Sequence, residues 1–299
     1  MQRRTFIKTS VAAVATSVRS EQTSIMLQRA IPSTGELVPG IGLGTWQAFD
    51  AGSDDVRRAQ LQQVLKIFYA GGGKVVDSSP MYGSSESVVG DLAAKLGISD
   101  DLFMATKVWT HGKAEGIRQM QRSIERMQSK PMDLMQVHNL VDAEVQLQTL
   151  AEWKEYKKIR YLGVTHYHSG GYAGLKHLMS DYELDFIQVN YSILQRGAAV
   201  ELLPLAKDRG IAVLINRPYE TGSLFSKVRG KTLPEWAGEF DCNSWGQFFL
   251  KFILSNDAVT CVIPGTSKIH HMQDNLQAGL GRLPDQKQRA AMIALIESI

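Results

Sequence analysis

Short apolar runs alternate with longer amphipathic runs along the chain beyond residue 35. The apolar runs are rich in β-branched residues and predict strands at residues 41–45, 74–77, 102–107, 132–138, 159–164, 186–190, 212–216 and 259–263. The runs between them repeat apolar residues at helical spacing and predict helices at residues 56–70, 85–95, 115–127, 143–157, 172–179, 198–207, 245–254 and 269–278, with one more at 286–297. Each predicted strand is therefore followed by a helix.

Eight strand–helix units in this order predict a closed (β/α)8 TIM barrel of the α/β class, with an extra C-terminal helix. The strands are nearly continuous apolar runs, which is typical of strands covered on both faces. A doubly wound sheet is the alternative, but Gly40, Gly42 and Gly44 lack the spacing of a dinucleotide-binding loop. We expect the barrel to span residues 31–299. The connection 217–241 has no clear periodicity and would lie on the face that carries active sites.

The composition is that of an ordinary globular protein, with 44% hydrophobic and 21% charged residues. The formal net charge of +3 comes from the first twenty residues, because removing their four basic residues leaves 29 basic and 30 acidic ones. The charge therefore gives no reason to expect a nucleic-acid partner. Cys242 and Cys261 lack metal-ligand spacing and are expected to be buried free thiols.

Residues 1–30 are expected to form an export signal or flexible leader. Arg3 and Arg4 precede an uncharged run at 9–18, which resembles a twin-arginine export signal. That resemblance implies the twin-arginine export machinery as a partner and a periplasmic or exported location. Ten uncharged residues cannot span a bilayer, which needs about 20, so no stable membrane anchor is expected. The alternative is a basic tail on a cytoplasmic protein.

Four titratable residues fall near the ends of neighbouring strands. Asp77, Lys107 and His138 close the second, third and fourth strands, and Tyr82 lies in the loop after the second. In a barrel these strand ends meet on the active-site face. A tyrosine with a pKa near 10 is a poor acid at neutral pH, but a neighbouring ammonium lowers that pKa. The four groups together are suited to protonating an alkoxide as it develops from a small-molecule carbonyl substrate.

The segments that carry these residues resemble a known enzyme family. VVDSSPMYGSSESVVG, ATKVW, MQVHNL, IRYLGVTHY, FIQVNYS and CVIPGTSK are similar, in order and spacing, to the aldo-keto reductase family over nearly all of residues 36–280. The resemblance implies a (β/α)8 barrel that reduces aldehydes and ketones with a nicotinamide cofactor. It also implies that Tyr82 is the general acid and Lys107 lowers its pKa, with Asp77 supporting Lys107 and His138 orienting the carbonyl.

The resemblance further implies a set of cofactor contacts. Relatives hold the nicotinamide carboxamide with a Ser-Asn pair and a glutamine, which here are Thr165, His166 and Gln188. A tyrosine often stacks on the nicotinamide after the seventh strand. This chain has Asn216 there, so stacking is lost or passes to Tyr219. The expected cofactor-binding residues are Gly44, Thr45, Trp46, Asp77, Thr165, His166, Gln188, Asn216, Gly265, Thr266, Lys268, His271, Asp274 and Asn275.

The end of the eighth strand bears on the choice of cofactor. Lys268 and His271 would meet the 2′-phosphate of NADP, so NADP is favoured and NAD remains possible. By the same resemblance, Asp274 and Asn275 match adenine-side positions. Trp46 and Trp109 match positions that wall an apolar substrate pocket, which we expect to be fairly open because the chain stops soon after its last helix.

Two other functions fit parts of the sequence. His166 and His168 form an H-x-H pair near His138, as in metal-dependent hydrolase barrels, but Lys107 and Tyr82 would then have no role. The second is a catalytically weak nicotinamide-binding sensor or accessory protein. The departures from the family pattern at His166 and Asn216 favour it.

Overall fold

The structure, a computed structural model, describes residues 25–299, and the predicted twin-arginine signal lies outside them. The strands are β1 (Gln28–Ala30), β2 (Leu37–Pro39), β3 (Leu43–Gly44), β4 (Val75–Asp77), β5 (Phe103–Val108), β6 (Met132–His138), β7 (Ile159–Thr165), β8 (Phe186–Asn190), β9 (Ala212–Asn216) and β10 (Cys261–Val262). The helices are α1 (Asp55–Ala70), α2 (Ser85–Leu96), α3 (Lys113–Met127), α4 (Ala143–Glu155), α5 (Tyr172–Asp181), α6 (Leu202–Arg209), α7 (Ser223–Lys227), α8 (Trp245–Leu254), α9 (Ile269–Gln277) and α10 (Gln286–Ser298).

Eight parallel strands form one sheet in the order β10-β9-β8-β7-β6-β5-β4-β3. The first and last of these strands then meet. The N–H of Gly42 donates to Val262 O at 2.8 Å, and the N–H of Gly44 donates to Pro264 O at 3.2 Å. The predicted (β/α)8 barrel is thus confirmed, as is the extra C-terminal helix α10.

Apolar side chains fill the barrel interior at the amino ends of the strands. Phe103, Tyr161 and Phe186 lie in one layer, with ring centroids 5.5–5.9 Å apart. Strand residues alternate between faces, so the residues two positions further toward the carboxyl end of each strand also face the barrel interior. These positions change from apolar to polar at Asp77, Lys107 and Gln136. The polar side chains of the barrel interior therefore lie at the carboxyl ends of the strands.

A β-hairpin covers the other end of the barrel, and the sequence pattern did not predict it. β1 pairs with β2 in antiparallel register, and Ile31 and Val38 join the interior apolar cluster. Residues 28–30, at the end of the predicted leader, therefore pair with β2. Arg160 ties the hairpin to the barrel by donating to Glu36 and, at 2.5 Å, to Asp133.

The connection 217–241 contains more structure than its sequence indicated. It holds α7 and 3-10 turns at Glu220–Gly222 and Glu235–Phe240. The predicted helix at 198–207 likewise divides into a 3-10 turn and α6. No helix within residues 25–299 combines the length and the apolar character that a membrane crossing requires.

Candidate active site

The four predicted catalytic residues lie together at the carboxyl ends of β4, β5 and β6. Asp77 and His138 are the last residues of β4 and β6, and Lys107 is the penultimate residue of β5. The aromatic ring of Tyr82 lies close to two of them. Its centroid is 5.1 Å from Lys107 Nζ and 5.9 Å from the centroid of the His138 imidazole, with the two rings nearly perpendicular.

Asp77 and Lys107 form a buried ion pair beneath Tyr82. The ammonium of Lys107 has no exposed surface, and it donates to Asp77 Oδ2 at 2.7 Å and to Ser78 O at 2.6 Å. Burial alone would lower the pKa of Lys107, but the negative charge of Asp77 and the Tyr82 hydroxyl raise it above its ordinary value. Lys107 is therefore a cation at neutral pH. Its third N–H remains available for Tyr82.

The net pKa shift of Tyr82 differs from the sequence expectation. Burial of the hydroxyl raises its pKa, and this effect outweighs the ammonium of Lys107, which lowers it; Asp77 raises it further. The net pKa of Tyr82 is therefore above its ordinary value, and the side chain keeps its proton at neutral pH. The lysine acts in the expected direction but does not dominate.

His138 is a neutral imidazole held by a serine. Burial, followed by the nearby charges of Lys107 and His166, lowers the pKa of His138 to about 2. Its Nδ1 lies 3.1 Å from the hydroxyl of Ser79, which is itself fully buried. The other ring nitrogen, Nε2, is left for a substrate oxygen.

The loop that carries Tyr82 is fixed to its neighbour by Asp50. The Asp50 carboxylate accepts from the N–H and the hydroxyl of Ser84 at 2.9 and 2.8 Å, and these bonds lower the pKa of Asp50. Gly83 has a φ of +59°, and a Cβ there would lie 2.5 Å from the same carboxylate. Only glycine fits this position, so the turn that presents Tyr82 depends on it.

The predicted nicotinamide positions form a connected amide network. Thr165 Oγ1 donates to Gln188 Oε1 at 3.0 Å, and Gln188 Nε2 donates to Asp77 Oδ1 at 2.8 Å. Asn216 Nδ2 donates to Gln188 Oε1 at 3.4 Å and to His166 O at 3.2 Å. Asn216 Oδ1 is buried and has no partner among residues 25–299. An unpaired buried amide oxygen of this kind is suited to binding a ligand N–H.

His166 does not join this network through its side chain. Its Nδ1 lies 3.2 Å from His168 O, and its ring stacks on Tyr167 with centroids 5.4 Å apart. The imidazole also packs against Gly171 in the same loop. It is therefore held by contacts within its own loop.

The predicted cofactor-binding residues at the ends of the first and last barrel strands make close contacts with other residues of the barrel. Gly44 and Gly265 pair as a parallel bridge, and a Cβ on Gly44 would lie 2.8 Å from Ile263 O. Thr45 is fully buried, with Oγ1 3.0 Å from Asp77 O and 2.9 Å from Ser78 Oγ. These residues close the barrel and position the end of β4, whatever they contact in a ligand.

The predicted phosphate and adenine positions divide into two groups. Lys268 and His271 are exposed at the start of α9, and Thr266 Oγ1 accepts from the N–H of Lys268 at 3.0 Å. In contrast, Asp274 accepts from Ser244 and Gln247, both at 2.7 Å. Lys268 and His271 are thus exposed, although His271 Nδ1 lies 3.4 Å from Thr266 Oγ1, and the half-buried Asp274 is held by two side chains of the protein.

The side chain of Asn275 also has a hydrogen-bond partner within the protein. Its Oδ1 accepts from the hydroxyl of Tyr219 at 2.6 Å. The Tyr219 ring packs on Phe225 and Phe249, with centroids 4.8 and 6.4 Å away. This packing and the hydrogen bond to Asn275 fix the position of the Tyr219 ring.

Two partly exposed tryptophans follow the carboxyl ends of β3 and β5. Trp46 is 50% exposed and Trp109 is 42% exposed, and the Trp109 ring lies 6.4 Å from His138. On the opposite side, the guanidinium of Arg217 lies 5.5 Å from the ring of Tyr167. The rim therefore offers exposed aromatic surfaces on at least two sides.

Sequence reasoning missed two buried polar residues of the site, Ser79 and Gln136. Ser79 contacts His138, and Gln136 Nε2 donates to Asp77 Oδ1 at 3.2 Å. Gln136 lies two residues before His138, so strand periodicity places both on the same face. That periodicity was the available signal for Gln136.

Cys242 and Cys261 are free and buried, as expected. In the part of the chain that the structure describes, no three histidine, cysteine or acidic side chains are grouped as a metal site.

Known proteins resemble this chain in sequence and in fold. Residues 40–294 match the sequence pattern of the Aldo/keto reductase family. Aldo-keto reductase str7 of Strobilurus tenacellus is 25% identical over 279 residues, covering 80% of each chain. Methylglyoxal reductase YeaE of Escherichia coli (strain K12) is 26% identical over 258 residues, covering 84% of this chain and 89% of that one. The aldo-keto reductase from Klebsiella pneumoniae, solved in complex with NADPH, shares the fold with a TM-score of 0.76 at 22% identity, over 91% of this chain and 96% of that chain.

Proposed function

The chain belongs to the aldo/keto reductase family and is an NAD(P)H-dependent oxidoreductase that reduces carbonyl groups, and we propose that Tyr82 supplies the proton in that reaction. The observation that carries the proposal is the buried Asp77–Lys107 pair, whose ammonium lies beneath the Tyr82 ring. A phenol above a fixed cation can release its proton to an alkoxide, because the cation stabilises the phenolate that remains.

The protonation states in the structure suit reduction. Burial keeps the pKa of Tyr82 above its ordinary value, so the phenol holds its proton until a strong base forms beside it. An alkoxide developing from a carbonyl is such a base. His138 is neutral, and its free Nε2 can hydrogen-bond the same oxygen. The two side chains would thus fix the carbonyl oxygen between them.

The residues around Gln188 fit a nicotinamide carboxamide. The bound nicotinamide would supply the hydride. Gln188 Oε1 already accepts from Thr165 and Asn216, so the unpartnered oxygen of Asn216 is the open acceptor for the carboxamide N–H. We therefore assign Asn216 the carboxamide contact that the ring of His166 does not offer. Trp46 and Trp109 would form walls for an apolar part of the substrate.

NADP is the cofactor we propose. Lys268 is exposed immediately before the N-terminus of α9, where free backbone N–H groups and the helix dipole also favour an anion. His271 lies on the first turns of the same helix. The additional phosphate of NADP would find a cation here that NAD could not use. The Klebsiella pneumoniae relative in complex with NADPH supports the same choice.

Tyr82→Phe tests the proposed proton donor. It removes the hydroxyl and keeps the ring, so turnover of a panel of aldehydes with NADPH should fall by roughly 100-fold or more. NADPH affinity, measured by fluorescence titration, should change little. Tyr167→Phe is the control, because that tyrosine lies on the same rim without a catalytic role, and it should retain activity.

Two results would contradict the proposal. Unchanged turnover in Tyr82→Phe would remove the tyrosine from the mechanism. Tight NADPH binding by the unmodified protein without turnover of any carbonyl compound would instead favour a nicotinamide-binding sensor or accessory protein, the alternative that the His166 and Asn216 substitutions suggest.

We also propose that the leader directs export through the twin-arginine machinery to the periplasm. Arg3 and Arg4 before the uncharged run at 9–18 support it. Because that route moves folded proteins, NADP could be loaded before export. Cell fractionation of the full chain beside its Arg3→Lys, Arg4→Lys variant tests this, and finding both proteins only in the cytoplasm would refute it.

A further inference from the structure

Ser79 makes a contact whose direction can be deduced from its surroundings. Its hydroxyl is fully buried and lies 3.1 Å from His138 Nδ1. The same oxygen accepts from the N–H of Met81 at 3.4 Å. Within residues 25–299, these are the two hydrogen-bond partners of the Ser79 side chain. A serine hydroxyl carries one hydrogen to donate.

The Met81 N–H can only donate, so the hydrogen of Ser79 is free for His138. If His138 Nδ1 instead carried the proton, Ser79 would receive two donors and its own hydrogen would be buried without an acceptor. A buried polar hydrogen without a partner is unfavourable, because its hydrogen bond to water is lost and not replaced. The arrangement with all groups satisfied has Ser79 donating to an unprotonated Nδ1.

The neutral charge of the His138 imidazole decides which of its nitrogens carries the proton. A neutral imidazole has a single N–H, so an unprotonated Nδ1 places the proton on Nε2. His138 is neutral because burial and the Lys107 cation both disfavour the imidazolium. The Nε2–H is then a hydrogen-bond donor. A carbonyl oxygen requires a donor, and the other tautomer would present a lone pair to it.

The adjacent serine has a different partner. Ser78 Oγ lies 2.9 Å from Thr45 Oγ1, and Ser78 O accepts from Lys107. Consecutive residues after β4 thus contact the lysine and the histidine separately. Asp77, Ser78 and Ser79 together reach both groups that flank Tyr82.

We propose that Ser79 is a positioning residue that donates its hydrogen bond to His138 Nδ1, fixing the ring and presenting Nε2–H to the substrate carbonyl oxygen. The role in catalysis rests on the proposed function. The tautomer and the hydrogen bond do not, since they exist in the protein without substrate.

Nitrogen NMR of the full chain with 15N-labelled histidine tests the hydrogen bond directly. The His138 signals are assigned by their loss in His138→Gln. We expect Nδ1 to resonate as an unprotonated acceptor and Nε2 as a protonated nitrogen. Ser79→Ala should then move the Nδ1 resonance toward that of a free acceptor. A proton found on Nδ1 in the unmodified protein overturns the proposal without reference to any variant.

Kinetics test the functional part. Ser79→Ala should lower kcat by about 10-fold, the equivalent of one ordinary hydrogen bond, and leave the NADPH dissociation constant within about twofold. Ser123→Ala is the matched control, because it also deletes a fully buried serine hydroxyl, located on α3, and it should leave kcat unchanged.

The outcomes separate the two proposals. Unchanged kcat and an unmoved Nδ1 resonance in Ser79→Ala would overturn the role of Ser79. If the unmodified protein turned over no carbonyl compound, the proposed function would fail and the positioning role with it, while the Nδ1 resonance would still decide the hydrogen bond.

Discussion

Three side chains converge on the buried carboxylate of Asp77. Lys107 binds Oδ2, and the amides of Gln136 and Gln188 both donate to Oδ1. A buried charge is costly unless its partners are close and well oriented, and this carboxylate has partners on both oxygens. Gln188 also accepts a hydrogen bond from Thr165. The ion pair beneath Tyr82 is therefore linked through one residue to the proposed nicotinamide contacts.

At the residue scale, the pKa of His138 gives a testable dependence of stability on pH. Its pKa is lowered to about 2 in the folded protein by burial and by Lys107, and is about 6.5 in an unfolded chain. Unfolding therefore takes up a proton below pH 6.5, and acid favours the unfolded state. Between pH 7.5 and 5.5 this group should lower the free energy of unfolding by about 1.4 kcal/mol.

Urea unfolding at the two pH values measures this loss. His138→Gln should reduce the difference by about that amount. His177→Gln, which changes an exposed histidine beside Asp181, should keep the full pH dependence. Equal pH dependence in all three proteins would show that His138 is not the responsible group.

How far the sequence predicts these residues depends on the range of each interaction. Asp77, Lys107 and His138 were predicted because the parallel strands of a barrel bring their carboxyl ends to one face. The role of Ser79 could not be predicted, because it depends on the rotamer of a side chain 59 positions away. The net pKa of Tyr82 depends on its burial, which local sequence does not report.

At the scale of elements, the accuracy of each predicted strand also depends on how much of its pattern is local. Residues 132–138, 186–190 and 212–216 were predicted to the residue, since strands buried on both faces have sharp apolar limits. β3 and β10 are shorter than predicted, because only part of each run pairs where the barrel closes. The β1–β2 hairpin has exposed and buried positions in short, mixed runs, so no period is visible.

The hairpin yields a prediction at the element scale. Arg160 binds both Glu36 of the hairpin and Asp133 of β6, and Asp133 is largely buried. Arg160→Met would leave two carboxylates without their cation, so we expect the free energy of unfolding to fall by about 2–3 kcal/mol. Chemical denaturation measures the change.

The matched control is Lys113→Met. Lys113 pairs with Glu152 on the surface, where both side chains are about half exposed. Exposed pairs contribute about 0–1 kcal/mol, so this variant should be nearly as stable as the unmodified protein. Similar losses in the two variants would show that Arg160 acts as an ordinary surface charge and does not hold the hairpin.

At the scale of the whole molecule, the two ends of the barrel differ in polarity. The hairpin and the aromatic layer of Phe103, Tyr161 and Phe186 seal the amino end with apolar contacts. The polar side chains of Asp77, Lys107 and Gln136 are buried on the carboxyl side of this apolar layer. A ligand that spans the carboxyl end from Gln188 to Lys268 would therefore stabilise the entire barrel.

That coupling gives a prediction for the whole protein. Binding to the folded state alone stabilises it, by about 2.7 kcal/mol at 100 times the dissociation constant. For a chain of 299 residues, NADPH at that concentration should raise the melting temperature by about 4 °C. Lys268→Ala should weaken NADPH binding about 10-fold and remove about 1.4 kcal/mol of this stabilisation at the same NADPH concentration.

NADH distinguishes the role of Lys268 from a general effect on the barrel. NADH lacks the 2′-phosphate, so its stabilising effect should be the same with and without Lys268. Lys176→Ala, which changes an exposed lysine on α5 beside Glu201, should leave both cofactors unaffected. Thermal unfolding with each cofactor measures all six combinations of protein and ligand. Equal losses for NADPH and NADH in Lys268→Ala would mean that Lys268 supports the cofactor without selecting its phosphate, and the preference for NADP would then have to come from elsewhere in the site.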